Sequence, residues 1–365
     1  MTDREAMTQC LALAVLGEGT TRPNPLVGCL VVRDGEVVGV GFHRAAGEPH
    51  AEAAALAAAG ARARGSTLYV NLEPCGHRGR TPPCADAIVA AGVRRVVAGA
   101  RDPNPLVDGR GFARLREAGI EVDVGLLEAS CRATNAGFLS FHERRRPWVT
   151  AKAAQSWDGQ IAAAGGSSTW VTGEPARRFA HRLRYRHDAV LVGAETVRRD
   201  DPRLTVRLPG VESARLRVVV TRSVALDPSA RVFEAARSGD PRTRVYVPAG
   251  AASRCASLAA VADVVPAGMS EAGVDLRAML GHLAASGVQT LLVEGGGRTL
   301  AAFLEAGLVD ELALFVAPRL IGARHGTPLV DRAAAASPDR AYRLTPHAVV
   351  PLGVDRLVWA RVESA

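Results

Sequence analysis

The spacing of apolar positions switches along the chain between a helical and an alternating period, and those switches mark out its elements. An apolar stripe over residues 4–16 predicts a first helix, stopped by Gly17 and Gly19. After the turn at Asn24-Pro25, two short apolar runs, 27–32 and from 37 onward, predict a hairpin folded at Asp34-Gly35. The pattern then predicts a helix over the alanine-rich 51–63, a strand over 67–72, a helix over 84–91 and a strand over 94–98. A helix around 111–117, a strand over 120–124 and a closing helix over 128–141 complete an alternating α/β set.

Residues 142–147 read as a short, charged, proline-ended connector, which divides the chain into domains 1–146 and 147–365. The second half restarts with a strand over 148–154, a glycine- and serine-rich loop at 165–168, a helix over 175–185 and a strand over 189–193. A short helix toward 199 follows, then strands at 216–221, 244–247 and 290–294 alternating with helices at 275–285 and 299–306. Strands at 311–317 and 356–362 close the chain, with at least one antiparallel strand expected there. Both halves are α/β, and such sheets place their sites beside strand ends.

Chemistry concentrates at His50-Ala51-Glu52, Glu73-Pro74-Cys75 and Cys84. One imidazole and two thiols form the ligand set of a catalytic zinc site, with a fourth position left for water. Two thiolates keep that unit near neutral charge, so water there can lose a proton near physiological pH. Glu52 is better placed to move protons than to share the metal. Proline is tolerated at a helix start, so Pro74 reads as one, with Cys75 at a helix N-terminus where the dipole favours a thiolate. Two facing helix starts would then supply all three ligands.

Alone, a histidine before a helix is commonly a cap, and two cysteines nine positions apart are a weak signal. Their agreement in order and context selects zinc. A structural zinc would need a fourth protein ligand, for which His77 is the nearest candidate.

In the second half, Val293-Glu294-Gly295-Gly296-Gly297 runs from a strand into a helix and would offer backbone N–H groups to a phosphate. The stretch from Thr196 through Asp200-Asp201 to Leu204 and Arg207 offers carboxylates and a guanidinium for an anionic group. Lys152 is the one lysine among 45 basic residues and sits inside an apolar run, where an ammonium is easily shifted.

Composition narrows the partners. Net charge is +8, but the arginines are scattered apart from Arg144-Arg145-Arg146, and aromatics at 4% are too few for base-stacking platforms. A phosphorylated small molecule accounts for the basic balance as well as a nucleic acid does. Six cysteines in 365 residues do not make a disulfide framework. With no charged-then-apolar leader and no run of eighteen apolar residues, a cytoplasmic protein without membrane or nucleic-acid partners is expected.

Thr21-Arg-Pro-Asn24-Pro-Leu-Val-Gly28, Gly47-Glu-Pro-His50-Ala-Glu52 and Glu73-Pro-Cys75-Gly-His77-Arg-Gly-Arg80-Thr-Pro-Pro-Cys84 resemble the deaminase half of the bifunctional riboflavin-biosynthesis deaminase–reductases. Ser156-Trp-Asp158-Gly159, Arg177-Arg178, Asp200-Asp201-Pro202 and Glu294-Gly-Gly-Gly resemble the reductase half. The resemblance implies a cytidine-deaminase-like three-layer α/β/α domain, then a dihydrofolate-reductase-like α/β domain. The first would deaminate 2,5-diamino-6-ribosylamino-4(3H)-pyrimidinone 5′-phosphate; the second would reduce the product's ribosyl group with NADPH. It also implies a homo-oligomer, dimer or tetramer.

Carried over by position, His50, Cys75 and Cys84 hold Zn2+, and Glu52 shuttles the proton. Asn24, His43, His77 and Arg80 contact the deaminase substrate. Ala154, Trp170, Thr196, Asp200, Ser223, Gly296 and Gly297 contact NADPH. Ser168, Arg184, Leu204, Arg207 and Glu294 contact the reductase substrate, with Arg184 and Arg207 suited to its phosphate. Lys152 gains a role as proton donor or oxygen anchor beside the reacting sugar.

Two other classes compete. A nucleic-acid base deaminase with an RNA-binding second half is disfavoured by the wide cysteine gap and the missing aromatic and basic clusters. A zinc-stabilised binding protein with a decayed second half would turn over neither substrate, whereas a deaminase with a non-catalytic second half would release ammonia without NADPH oxidation.

Overall fold

Successive side chains of strand β1 (Gly28–Arg33) are buried on both faces, Cys29 and Val31 toward one helical layer, Leu30 and Val32 toward the other. A strand of this kind belongs inside a three-layer arrangement. The computed structural model describes residues 1–76, 83–163, 171–211, 215–222, 225–234, 241–270, 273–322, 324, 326–331 and 337–363. The chain divides into two units, Met1–Arg145 and Arg146–Ala365, so Arg146 falls in the second.

In the first unit β2 (Glu36–Phe42) returns along β1 through the Asp34-Gly35 turn, where both residues have positive φ. Strand β3 (Thr67–Val70) runs antiparallel to β1, and β4 (Arg95–Ala98) and β5 (Glu121–Val124) follow parallel to β3, giving the order β2-β1-β3-β4-β5. Helices α2 (Ala51–Ala59), α3 (Cys84–Ala91) and α4 (Arg110–Glu117) cover one face, around Ala55, Ile88 and Leu115. Helices α1 (Asp3–Ala14), α5 (Glu128–Thr134) and α6 (Ala136–Arg144) bury Met7, Cys131 and Phe138 on the other. The alanine face of α2 lets it lie against β2 so closely that a Cβ at Gly41 would fall 2.2 Å from the Ala51 carbonyl oxygen. That contact sets the height of the helix start, and with it His50.

The single helix expected over 128–141 is broken at Asn135. The break has a use. The Asn135 side chain accepts from Leu26 N (2.8 Å) and donates to Leu26 O (2.9 Å), pinning the segment that carries Asn24. Asn135→Ala leaves the Leu26 N–H without its partner and is expected to cost about 1–3 kcal/mol. A urea titration reporting on the first unit checks this, and an unchanged midpoint removes the clamp from the account.

The second unit is built on one sheet of strands β6 (Trp148–Ser156), β8 (Ala189–Gly193), β9 (Leu216–Val220), β10 (Thr243–Pro248), β11 (Ala262–Ala267), β14 (Thr290–Val293), β15 (Glu311–Ala317), β17 (Leu344–Leu352) and β18 (Asp355–Val362). Their order is β11-β10-β9-β8-β14-β6-β15-β18-β17. Two-residue and three-residue pieces, β7 (Gln160–Ala162), β12 (Met269–Ser270), β13 (Gly273–Val274) and β16 (Thr327–Pro328), pair in twos beside it. Neighbours are parallel from β11 to β15, and β18 runs antiparallel to both β15 and β17.

Helices α7 (Glu174–Arg186), α8 (Ala194–Asp200), α9 (Ala256–Ala259), α10 (Leu276–Ala285) and α11 (Gly297–Glu305) connect the strands. Val190, Val192 and Val219 pack into one core, Leu191, Val218 and Leu291 into another. From β8 the chain first builds outward through β9, β10 and β11, then returns to place β14 on the other side of β8. The order therefore reverses between β8 and β14, and a sheet of this kind opens a crevice at such a point. Among the described residues no helix is long and apolar enough to cross a membrane.

Candidate active sites in the two units

His50 is the N-cap residue of α2 but makes no capping hydrogen bond. Its ring is turned toward two sulfurs instead. Nδ1 lies 3.3 Å from Cys84 Sγ and 3.6 Å from Cys75 Sγ, and all three ligand atoms lie within 4.8 Å of one another. Zinc in tetrahedral coordination keeps nitrogen and sulfur ligands about 3.6 Å apart, given bonds of about 2.0–2.1 Å and 2.3 Å. The residues fit the ion.

One expectation about the ligands is corrected here. No helix starts at Pro74. Cys75 lies in a loop, and α3 begins at Cys84, capped by Pro83. The N–H of Cys84 donates to Cys75 Sγ at 3.3 Å, so the thiolate-favouring helix end belongs to α3 and acts on Cys75 from across the site. Hydrogen bonds from the Cys84 thiol and the His50 ring bring Cys75 down to about 4, against the effect of burial. The Cys84 thiol is pushed up by its bond to Cys75 and by burial. A dication bound between the two sulfurs would displace their remaining proton.

Glu52, in the first turn of α2, is buried beside these sulfurs. Burial and the charge on Cys75 push its carboxyl up to about 7. Asn24 and His43 come together in the same place: Asn24 Nδ2 lies 3.0 Å from His43 Nε2, and His43 Nδ1 lies 3.1 Å from Pro49 O. The His43 and His50 rings meet edge to face, 5.4 Å apart. Both His43 nitrogens thus have protein partners, and one of them orients the Asn24 amide. His77 and Arg80 lie outside the described residues.

In the second unit, Arg184 and Glu294 form a buried two-point ion pair, Nε to Oε1 at 2.7 Å and one terminal nitrogen to Oε2 at 2.9 Å. The other terminal nitrogen donates to Thr205 O at 3.1 Å. The Nε edge of the Arg184 fork is thereby engaged by Glu294. Burial would raise the Glu294 carboxyl, but Arg184 and Lys152 outweigh it and hold it at about 2. Lys152, on β6, lies over the Phe315 ring at 5.6 Å; burial pulls its ammonium down while Glu294 resists.

Arg207 is tied to the same cluster. Its N–H donates to His181 Nδ1 at 3.3 Å, and its guanidinium reaches Thr205 Oγ1 at 3.3 Å. Between them Leu204 is buried with φ of +52°, a backbone state costly for a branched side chain. Gly296 caps α11 with its backbone alone, and Gly297 opens that helix. Ala154 is half-buried on β6; Thr196 is half-buried and Asp200 exposed on α8. Ser168, Trp170 and Ser223 lie outside the described residues.

A cavity of about 630 Å³ opens at the carboxyl ends of β8 and β9, against α10 and α11, lined by Gly193, Thr221, Arg222, Arg277, Arg298 and Thr299 among others. It lies next to the β8/β14 crevice, since Thr299 stands where a Cβ at Gly193 would be, 2.6 Å away.

Residues 1–100 match the cytidine and deoxycytidylate deaminase zinc-binding region, and residues 147–355 match the RibD C-terminal domain. The riboflavin biosynthesis protein RibD of Aquifex aeolicus is 42% identical over 320 residues, 88% of each chain. That of Escherichia coli is 40% identical over 334 residues, 88% of this chain and 89% of the relative. The chain belongs to the RibD family.

RibD structures bear this out across both units. One from Acinetobacter baumannii superposes with a TM-score of 0.86 at 36% identity, covering 99% of each chain. One from Thermotoga maritima, titled a diaminohydroxyphosphoribosylaminopyrimidine deaminase/5-amino-6-(5-phosphoribosylamino)uracil reductase, gives 0.85 at 33% identity, covering 99% of this chain and 98% of that one. RibD membership makes this chain a bifunctional enzyme of riboflavin biosynthesis, with a cytidine-deaminase-like domain followed by a dihydrofolate-reductase-like one. Sequence reasoning missed Arg277, Thr299 and His181 as neighbours of the RibD reductase cluster and cavity. Thr299 had a signal in the preceding glycines; Arg277 and His181 had none.

Proposed function

We propose that the first unit performs zinc-dependent hydrolytic deamination of 2,5-diamino-6-ribosylamino-4(3H)-pyrimidinone 5′-phosphate, and that the second reduces the ribosyl group of 5-amino-6-(5-phosphoribosylamino)uracil to ribityl with NADPH. The observation that carries the reading is the meeting of His50 Nδ1 with two sulfurs at 3.3 and 3.6 Å beside a buried carboxylate.

His50 Nδ1, Cys75 Sγ and Cys84 Sγ would hold the ion. Zinc bound there supplies a Lewis acid that makes water nucleophilic at neutral pH. Glu52 holds a proton on its carboxyl oxygen and passes it to the departing amino nitrogen; a carboxyl near 7 can do both halves of that transfer. Asn24, with its amide nitrogen committed to His43, has its Oδ1 left to accept from the pyrimidine.

In the second unit NADPH supplies the hydride. Its pyrophosphate suits the backbone N–H groups at the start of α11, and Arg222 and Arg298 give the neighbouring cavity a positive lining for a phosphate. Lys152, half-buried near Glu294, donates to a ribose oxygen as that oxygen gains charge. Arg207 binds the substrate phosphate, and Arg184 orients Glu294.

Incubating the zinc-loaded chain with the diaminopyrimidine phosphate and NADPH tests the whole reading. Ammonia should appear first and NADPH absorbance fall after it; turnover of neither would reject the proposal. Lys152→Arg is expected to slow NADPH oxidation by about 10²-fold or more without altering ammonia release. Normal reduction by that variant would strip Lys152 of its role.

A further inference from the structure

Glu73 ends the segment after β3, two residues before Cys75, and its carboxylate is buried at 4% exposure. Four backbone N–H groups donate to it: Asp102 (3.3 Å) and Gly109 (3.1 Å) to Oε2, Gly111 (3.0 Å) and Phe112 (3.3 Å) to Oε1. Gly109 is the N-cap of α4 and has no side chain to offer. A residue from elsewhere in the chain therefore closes the open N–H groups of that helix and brings a negative charge to its positive end. The main chain of Glu73 is tied down as well, its N–H donating to Ala100 O at 2.9 Å.

The loop then lies flat on the first turn of α4. A Cβ at Gly111 would fall 1.9 Å from Pro74 O, and one at Gly76 would fall 2.9 Å from Gly111 N. Cys75 is held between these two attachments. His50 and Cys84 ride on the starts of α2 and α3, but Cys75 has no helix of its own.

We propose that Glu73 is a positioning residue for deamination: by fastening its loop to α4, it sets Cys75 Sγ at the spacing from His50 Nδ1 and Cys84 Sγ that the metal requires. The inference rests on the zinc reading above and deepens it. A residue that served stability alone would leave the metal's environment untouched, and this difference can be measured.

The full chain is loaded with zinc, its release to a coloured chelator is timed, and the thiolate-to-metal absorption is recorded after cobalt substitution. Glu73→Gln keeps the shape but removes the charge. It is expected to release zinc about 10–100-fold faster, to alter the cobalt band, and to lower kcat for ammonia release with KM little changed. NADPH oxidation on the uracil substrate stays at the wild-type rate. Glu73→Asp, which restores the charge on a shorter arm, recovers part of the loss.

Gly76→Ala pushes the loop off α4 without touching the carboxylate and should shift zinc release in the same direction. A Glu73→Gln chain with the wild-type release rate and cobalt band overturns the proposal, whatever its thermal stability. Should that variant fail to fold, Gly76→Ala decides: faster release supports the proposal, and a wild-type rate overturns it. A wild-type chain that takes up no zinc at all is a separate outcome, which rejects the metal reading itself.

Discussion

Glu52→Gln lowers ammonia release by about 10²–10⁴-fold, the range expected when a positioned acid–base group is lost, while zinc content and NADPH oxidation on the uracil substrate stay at wild-type levels. The substitution is nearly isosteric, so the start of α2 and the direction of His50 are kept. What goes is the ability to exchange a proton. Burial is what gives Glu52 that ability, because it lifts the carboxyl to about 7, where protonated and ionised forms are both accessible in neutral solution. Metal analysis and a coupled ammonia assay on the same preparation check the result, and unchanged ammonia release discards the assigned role.

The second large effect is on stability. Arg184→Met leaves Glu294 buried without its two-point partner and is expected to destabilise the second unit by about 3–5 kcal/mol at pH 7. The sign with pH follows from the Glu294 carboxyl, held at about 2 against an ordinary value of 4.5. Its contribution is complete above 4.5 and is lost as pH falls toward 2. The deficit of the variant should therefore narrow across that acid window. Replacing both partners, Arg184→Met with Glu294→Leu, recovers part of the loss, since a buried pair exchanged for apolar groups is often tolerated. Recovery is incomplete because Lys152 then lacks its carboxylate. Urea unfolding of the three proteins at pH 7 and pH 3 measures this, and equal midpoints at pH 7 would remove the pair from the account.

Much of the architecture was legible because the apolar period is unambiguous where both faces of a strand are buried. β1, β8 and β14 each carry an unbroken apolar run, and their positions follow from it. The meeting of His50, Cys75 and Cys84 was legible because few other chemistries call for a histidine, an adjacent acid and two later cysteines in that order. Local signals failed where a distant partner decides. Pro74 permits a helix, but Glu73 and Gly111 hold that segment as a loop. Asn135 is tolerated in a helix, but its amide is recruited by Leu26, over a hundred residues earlier. The pairing of Arg184 with Glu294, 110 positions later, likewise has no local signal. The nine-residue β17 was missed because Pro346 and Pro351 argue against a strand, and they are compatible with one only at the margin of a sheet.

Those two prolines have a consequence for how molecules meet one another. The irregularity between Pro346 and Ala348 shifts the register, so the prolines face Ala360 and Arg356, four positions apart on β18 and in the same phase of the ladder. An edge strand accommodates proline where the missing donor faces solvent, and these two share a side of the strand. A foreign backbone seeking to dock along this rim would find its carbonyls opposite rings with no hydrogen to give, which protects an otherwise exposed border from intermolecular growth.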